Sequence, residues 1–156
     1  MNSYIDVVDT FKQICEEHAL IKTFSNGDIF EADLENVNVF KKAHLIETSA
    51  AINKTSFSFT FDLLVMDLVN IDDSDQDTVM NDTFLILADI LREFRNGKGA
   101  PGVSALDNRQ FGLPDNISCE PFTDRFENLL AGWKATFTIT SQGHLSACES
   151  PIIRTV

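Results

Sequence analysis

Residues 41–70 read KKAHLIETSAAINKTSFSFTFDLLVMDLVN, and this stretch decides the fold. From Thr55 onward, apolar residues occupy the odd positions and polar residues the even ones, the period of two that is typical of a half-buried strand. The odd positions carry Phe57, Phe59, Phe61, Leu63 and Val65. An upstream strand over residues 41–52 can pair with this one if residues 53–54 form a two-residue turn. The pattern therefore predicts a long β-hairpin.

That turn fixes a register for the hairpin. It places Ile46 opposite Phe61 on an apolar face, and Ser49 opposite Ser58 on a polar face. A slip of one residue would carry every apolar side chain to the other face, so a register with two coherent faces is favoured.

The second strand changes character beyond Leu63, because apolar residues then appear on the even face as well, at Leu64, Met66 and Leu68. Either a bulge near Leu63 and Leu64 flips the alternation, or both faces are covered there. Residues 55–70 would span about 50 Å if fully extended, against about 5–6 residues for a typical strand. We therefore expect part of the hairpin to project and meet another subunit.

The flanking sequence predicts two helices. Over residues 4–18 an apolar stripe recurs at helical spacing, and the second helix follows the acidic residues 72–77 and closes near Gly97. The first stripe comprises Tyr4, Val8, Phe11 and Cys15, widened by Ile5 and Ile14. The second comprises Val79 or Met80, Phe84, Leu87, Ala88, Leu91 and Phe94.

Further strands are predicted on both sides of the hairpin. Residues 20–24 form a short strand, and Asn26-Gly27 favours a tight hairpin turn with a return strand at Ile29 and Phe30. Residues 117–122 and 133–140 form a closing strand pair. The order α-β-β-β-β-α-β-β predicts an α+β fold, in which two helices pack on one face of an antiparallel sheet. We expect one domain over residues 1–156, with a long loop at about 97–115 and an extended tail at about 142–156.

Composition limits the classes of function. With 24 acidic against 12 basic residues the chain carries a formal charge of −12, so it lacks the basic patch of a nucleic-acid reader. The charge serves either solubility or a surface that touches DNA without adhering to it. Three cysteines, an odd number with no close pair, indicate a reducing compartment. The first residues do not resemble a signal peptide, and no apolar run is long enough for a membrane span, so we expect synthesis in the cytoplasm without a membrane partner.

Candidate chemistry is weak. Residues 73, 75 and 77 match the first calcium-loop positions, but Thr78 and Phe84 replace the required Gly and Glu. Cys15 and His18 have a spacing that zinc could use, as do His144 and Cys148, although Cys15 already belongs to the apolar stripe. No nucleophile motif or phosphate-binding loop is present. We expect no catalytic residues, no metal and no cofactor.

Two C-terminal segments carry a resemblance, PFTDRF at residues 121–126 and AGWKATF at residues 131–137. Together with the order of elements, they resemble the tail terminator and tail-completion proteins of long-tailed bacteriophages, and small structural proteins of phages that infect Bacteroidetes-type bacteria. The loop at residues 97–114 and the C-terminal tail match no feature of that family.

The resemblance implies a virion protein of the tail or neck. Such proteins form a ring, commonly a hexamer, that caps the tail tube protein and offers a docking surface to the head-completion or connector protein, while DNA passes through the lumen without specific binding. The implied subunit interface would contain Leu64, Met66, Leu68, Phe122, Arg125, Phe126 and Trp133. Alternatives are another head–tail connector or neck ring protein, or a non-viral intracellular binding adaptor; an enzyme ranks behind these.

Overall fold

The computed structural model describes residues 4–27, 41–69, 75–96, 111–125 and 129–142. In chain order, the elements within these residues are α1 (Tyr4–Glu17), β1 (Thr23–Asn26), β2 (Lys42–Ile52), β3 (Ser56–Leu68), α2 (Gln76–Asn96), β4 (Phe111–Gly112), β5 (Ser118–Arg125) and β6 (Leu129–Gln142). The predicted α+β class and the order of the predicted elements are confirmed. The two-residue strand β4 lies inside the predicted long loop.

The strands of the described residues form one six-stranded sheet in the order β1-β2-β3-β6-β4, with β5 pairing on β6 beside β4. All pairs are antiparallel except β1 with β2, which run parallel, so the prediction of a purely antiparallel sheet was wrong at β1. Gly27 has φ of 142°, and its N–H donates to the Leu45 carbonyl at 3.1 Å, so it ends β1 against β2. Fifteen residues separate β1 from β2, a length that suits a crossover between parallel strands. The predicted return strand at residues 29–30 lies outside the described residues.

The long hairpin is confirmed, but its predicted register was wrong. Asn53 donates its N–H to the Ser56 carbonyl at 2.8 Å, so Lys54 and Thr55 are the turn residues, one position later than predicted. Ile52 consequently lies opposite Phe57, where Ala50 was expected. The Asn53 side chain donates a further hydrogen bond to Ser56 Oγ at 3.2 Å, and this bond favours the observed turn.

A bulge lies in β2 instead of near Leu63. Glu47 pairs with Phe61 and Ser49 with Thr60, so Thr48 is the extra residue, and its hydroxyl donates to the Thr60 carbonyl at 3.1 Å. β3 pairs with β6 without interruption from Ser56 to Leu68. Both faces of the second half of β3 are covered, as one of the two alternatives predicted, because four consecutive residues from Leu63 are all buried.

Both helices contribute to one core on the same face of the sheet, which we call the helix face. Phe11 of α1 stacks on Phe94 of α2 with ring centroids 4.5 Å apart, and it also contacts Phe61 and Phe137 of the sheet. The buried residues of this core are Val7, Phe11, Ile14, Cys15, Ile21, Ala43, Leu45, Phe61, Leu63, Val65, Ile86, Leu87, Ile90, Phe94, Ala135, Phe137 and Ile139. Burying these side chains is the main favourable contribution to folding.

The apolar stripe of each helix differs in part from the prediction. In α1, Val7 is buried whereas Ile5 remains 65% exposed. In α2, Ile86 and Ile90 are buried and Phe84 is 43% exposed. The sequence did not decide whether Val79 or Met80 begins the apolar stripe of α2, and the predicted stripe therefore lay partly on the wrong side of the helix. The buried residue of the two is Val79.

Candidate assembly surface

The end of the hairpin nearest the turn is exposed on β2. β1 pairs only with the first four residues of β2, from Lys42 to Leu45. Residues 47–52 of β2 are all exposed, and Ile52 keeps 71% of its surface. We call the side of residues 47–52 that faces away from β3 the open edge.

The hydrogen-bond pattern shows which backbone groups point to the open edge. Hydrogen-bonded and non-hydrogen-bonded pairs alternate along an antiparallel ladder, and Asn53 with Ser56 is a hydrogen-bonded pair. The pairs of Ser49 and Ala51 with β3 are therefore also hydrogen-bonded. It follows that Ala50 and Ile52 direct their N–H and C=O groups away from β3, toward the open edge.

The open edge lacks most of the devices that keep sheet edges from pairing. Lysine, proline, a bulge or an inward-pointing charge normally blocks such an edge. Residues 48–52 read TSAAI, with no charge and no proline, in a chain of formal charge −12. The bulge at Thr48 is the one such device in this segment, and it lies at the end farther from the turn.

An apolar row borders the open edge on the helix face. Ile52 is exposed, and Phe57 and Phe59 beside it are half-buried. Tyr4 of α1 packs edge-on against Phe59, with ring centroids 5.9 Å apart, and donates its hydroxyl hydrogen to Glu47 Oε1. Burial, followed by this bond to Glu47, raises the pKa of Tyr4 to about 12. Tyr4 therefore remains a neutral donor at physiological pH and holds α1 beneath the row.

The opposite face of the same region is lined by hydroxyl groups. Ser58, Thr60, Thr138 and Thr140 lie there in neighbouring register positions of β3 and β6, exposed or half-buried. Thr60 and Thr138 share a hydrogen bond of 3.0 Å between their hydroxyls. Asp62 on this face accepts a hydrogen bond of 2.7 Å from the Thr136 hydroxyl. The surface is polar and nearly uncharged, unlike the chain as a whole.

The sheet has a second edge at β5. Within the described residues β5 pairs only with β6, so its other side forms the far edge of the sheet. Pro121 in the middle of β5 agrees with this position, because proline within a strand is confined to edges and bulges. Glu120 on β5 forms an ion pair of 3.6 Å with Lys134 of β6, and both groups are exposed enough for the pair to add little stability.

The predicted interface residues of β3 lie mainly inside the subunit. Leu64 and Met66 keep only 6% and 2% of their surface and cluster with Leu130, with Leu68 and Ile46 packed alongside. Their assignment to a subunit interface stays a prediction. Since they are already buried in one chain, Met66→Lys should impair folding itself.

The other predicted interface residues are spread over β5 and β6. Phe122 and Arg125 belong to β5, opposite Gly132 and Leu129, and Phe126 lies outside the described residues. Trp133 is half-buried on the helix face, donates its ring N–H to the Met80 carbonyl at 2.9 Å and meets the Phe84 ring edge-on at 5.2 Å. Trp133 therefore fastens α2 to the sheet.

Sequence reasoning missed the open edge. Alternation of residue types indicates which face of a strand is buried, but it does not indicate which neighbouring strand is shorter. The signal that was available is the uncharged run TSAAI in an acidic chain.

Of the groups considered for zinc binding, Cys15 and His18 serve the fold. Cys15 is fully buried in the core, and burial raises the pKa of its thiol to about 12. His18 lies 3.1 Å from an Asp89 carboxylate oxygen and accepts the Leu20 N–H at its Nδ1. Across the described ranges, no group of three or more His, Cys, Asp or Glu side chains could hold a metal ion. His144 and Cys148 lie outside those ranges.

Two charged or titratable side chains are buried in β2. His44 has no exposed surface and shares a hydrogen bond with the Ser25 hydroxyl of β1. Lys42 keeps 2% of its surface, and this burial lowers the pKa of its ammonium group. Both side chains lie where β1 covers β2.

Comparison with known proteins adds no relative. No family model matches the chain, and no curated protein matches it. In the part of the chain that the structure describes, neither helix is long and apolar enough to cross a membrane.

Proposed function

We propose that this chain is a virion assembly protein, a tail terminator subunit whose ring caps the tail tube and joins it to the head connector. The observation that carries the proposal is a sheet whose two ends differ and keep unpaired strand sides among the described residues, at β1 and residues 47–52 of β2 on one end and at β4 and β5 on the other. A contact between two different surfaces of identical subunits repeats from copy to copy, and it closes into a ring when the rotation permits.

Charge supports the same proposal. A ring through which DNA passes must not bind phosphate groups, and a formal charge of −12 repels them. The hydroxyl-lined face over Thr60 and Thr138 is a suitable lining for such a passage, because it offers hydrogen bonds without positive charge. The proposal assigns the chain no catalytic activity and no cofactor.

The resemblance in element order and in the C-terminal segments supplies the specific place in the virion. Localisation in the virion, with the tail tube protein on one side of the ring and the connector protein on the other, follows from it. The corresponding expectation is that the chain is synthesised in the host cytoplasm.

Immunogold electron microscopy of virions tests this proposal. An antibody raised against the purified chain should label a single position, where the tail tube meets the head. Tails isolated without heads should keep the label at the head-proximal end, whereas a connector ring would leave with the heads. Virions without label, or label along the whole tail, would refute the proposed function.

A further inference from the structure

We propose that His18 is a pH-dependent switch at the end of α1, which binds the Leu20 N–H when its ring is neutral and releases that N–H when the ring is protonated. The switch lies where α1 passes into β1, and it ties this connection to α2. It belongs to the single subunit and goes beyond the proposed function, so it does not depend on a ring.

Two hydrogen bonds fix the state of the neutral His18 ring. Its Nδ1 accepts the Leu20 N–H at 3.1 Å, so this nitrogen carries no proton. The ring proton is therefore on Nε2, which donates to an Asp89 carboxylate oxygen of α2 at 3.1 Å. The His18 side chain keeps only 16% of its surface, so water competes little for either nitrogen. Neutral His18 thus connects Leu20 to α2.

A second proton can be added to the ring only at Nδ1. The resulting imidazolium has two donors and no acceptor, so the bond from the Leu20 N–H is lost. The bond to Asp89 becomes charge-assisted, which strengthens it. The last carbonyl groups of α1, which ends at Glu17, also favour a positive charge at this position. Protonation therefore keeps His18 on α2 and frees Leu20.

The charged and titratable groups of the packed elements leave Asp89 as the charge in contact with His18. Asp89 also binds Arg92 of the same helix at 3.3 Å through its other carboxylate oxygen, and Arg92 is exposed. On α1, burial raises the pKa of Cys15 to about 12, so its thiol stays neutral, and the acidic residues that end the helix are exposed. β1, over Thr23–Asn26, has no titratable side chain. Imidazole is the side-chain group that ordinarily changes charge between about pH 5 and pH 8, so mild acidification is the signal to which this contact responds.

The neighbouring contacts confine the change to a short segment. Leu20 is 52% exposed, so water can bind its freed N–H. Ile21 is buried in the core, and its N–H donates to the His18 carbonyl at 3.3 Å. Lys22 is exposed, and its backbone N–H donates to the carbonyl of the residue before β2 at 2.9 Å. Protonation leaves these backbone groups unchanged, so acid should loosen residues 18–20 while β1 stays paired with β2.

NMR of the isotope-labelled chain, from about pH 8 to about pH 5, tests the switch. The ring nitrogen shifts should place the proton of neutral His18 on Nε2, and the Leu20 amide signal should move together with the titration of the ring. Protection of the Leu20 amide against hydrogen exchange, corrected for the intrinsic rate at each pH, should fall about tenfold, the effect of losing one neutral hydrogen bond. The Ile21 amide should keep its protection.

His18→Asn is the matched control. Asparagine accepts the N–H two residues further along the chain through its side-chain oxygen, as His18 does through Nδ1, but it takes up no proton. The Leu20 amide of this variant should therefore show the same protection across the whole pH range.

Three results would overturn the inference. They are a proton on Nδ1 of the neutral ring, a Leu20 amide that does not respond while His18 titrates, and an equal response of that amide in folded His18→Asn. If the variant does not fold, the first two measurements decide, because they use the wild type. None of these results bears on assembly, so failure of the switch and failure of the proposed function are distinguishable.

Discussion

Replacement of Gly132 by alanine tests the packing of the central strands. Gly132 lies in β6 opposite Met66 of β3 and opposite Phe122 of β5. A Cβ atom at this position would lie 1.9 Å from the Val65 carbonyl oxygen and 2.9 Å from Met66 Cα. Both are backbone atoms, so no side-chain rotation can relieve the overlap. β3 and β6 would have to move apart at the centre of the sheet.

The expected cost follows from this geometry. Extra volume in a packed core usually costs about 1–3 kcal/mol, and the upper part of that range applies here because the contact is with backbone. For a chain of this size, 1 kcal/mol changes the melting temperature by about 2–4 °C. We therefore expect Gly132→Ala to melt about 6–12 °C below the wild type.

Gly112→Ala is the control for this experiment. A Cβ at Gly112 would lie 3.7 Å from the Thr140 carbonyl oxygen, an ordinary contact, and Gly112 is exposed at the edge of the sheet. This variant should be neutral or gain up to about 1 kcal/mol, because alanine restricts the unfolded chain. Circular dichroism during heating, with Trp133 fluorescence as a second probe, measures both variants. Equal melting temperatures for Gly132→Ala and the wild type would refute the close approach of β3 and β6.

Three further predictions concern buried groups. Cys15 should resist alkylation in the native protein while Cys119, which is half-buried, reacts; peptide mapping that finds Cys15 modified at the same rate would contradict its place in the core. Burial lowers the pKa of the Lys42 ammonium group, so the stability that Lys42 contributes is fully present above its unfolded pKa and is lost as pH falls through its folded pKa. Lys42→Met should therefore raise the free energy of unfolding at pH 7, and should raise it less at pH 10. Urea unfolding at both pH values measures the difference. Burial raises the pKa of the Asp67 carboxyl above 3.8, so the stability that Asp67 contributes is present below its unfolded pKa and is lost as pH rises through its folded pKa. Asp67→Asn should therefore be more stable than the wild type at pH 7 but not at pH 3. An equal difference in stability at both pH values would contradict the raised pKa.

The sequence supports the fold class because its strongest patterns are local. Alternation over residues 57–65 and the helical stripes of α1 and α2 each express a period set by the backbone, so the hairpin and both helices could be predicted. The burial of Leu64 and Met66 could also be anticipated, since both faces of β3 become apolar there.

The errors arise where tertiary pairing overrides a local signal. Asn26-Gly27 is a strong hairpin signal, yet β1 is parallel to β2, because Gly27 ends β1 and a long connection follows. The hairpin register was wrong because Asn53 closes the turn through its backbone and side chain, a contact that a two-residue rule for residues 53–54 does not include. The extra residue at Thr48 is likewise invisible to a pattern of alternation.

The candidate site was the least predictable feature. The sequence drew attention to apolar residues as interface candidates, but in this fold Leu64 and Met66 stabilise the subunit itself. The open edge is a property of how far β1 extends along β2, and strand length was the weakest part of the sequence reading: β1 was expected over residues 20–24 and occupies Thr23–Asn26.

Native mass spectrometry of the purified chain tests the central claim, assembly into a ring, most directly. The subunit mass is 17.4 kDa. We expect a single closed species at a fixed multiple of this mass, either free in solution or after incubation with isolated tail tubes, and the resemblance implies a hexamer. A wild-type chain that remains at 17.4 kDa at every concentration and salt, with and without tail tubes, would contradict the account.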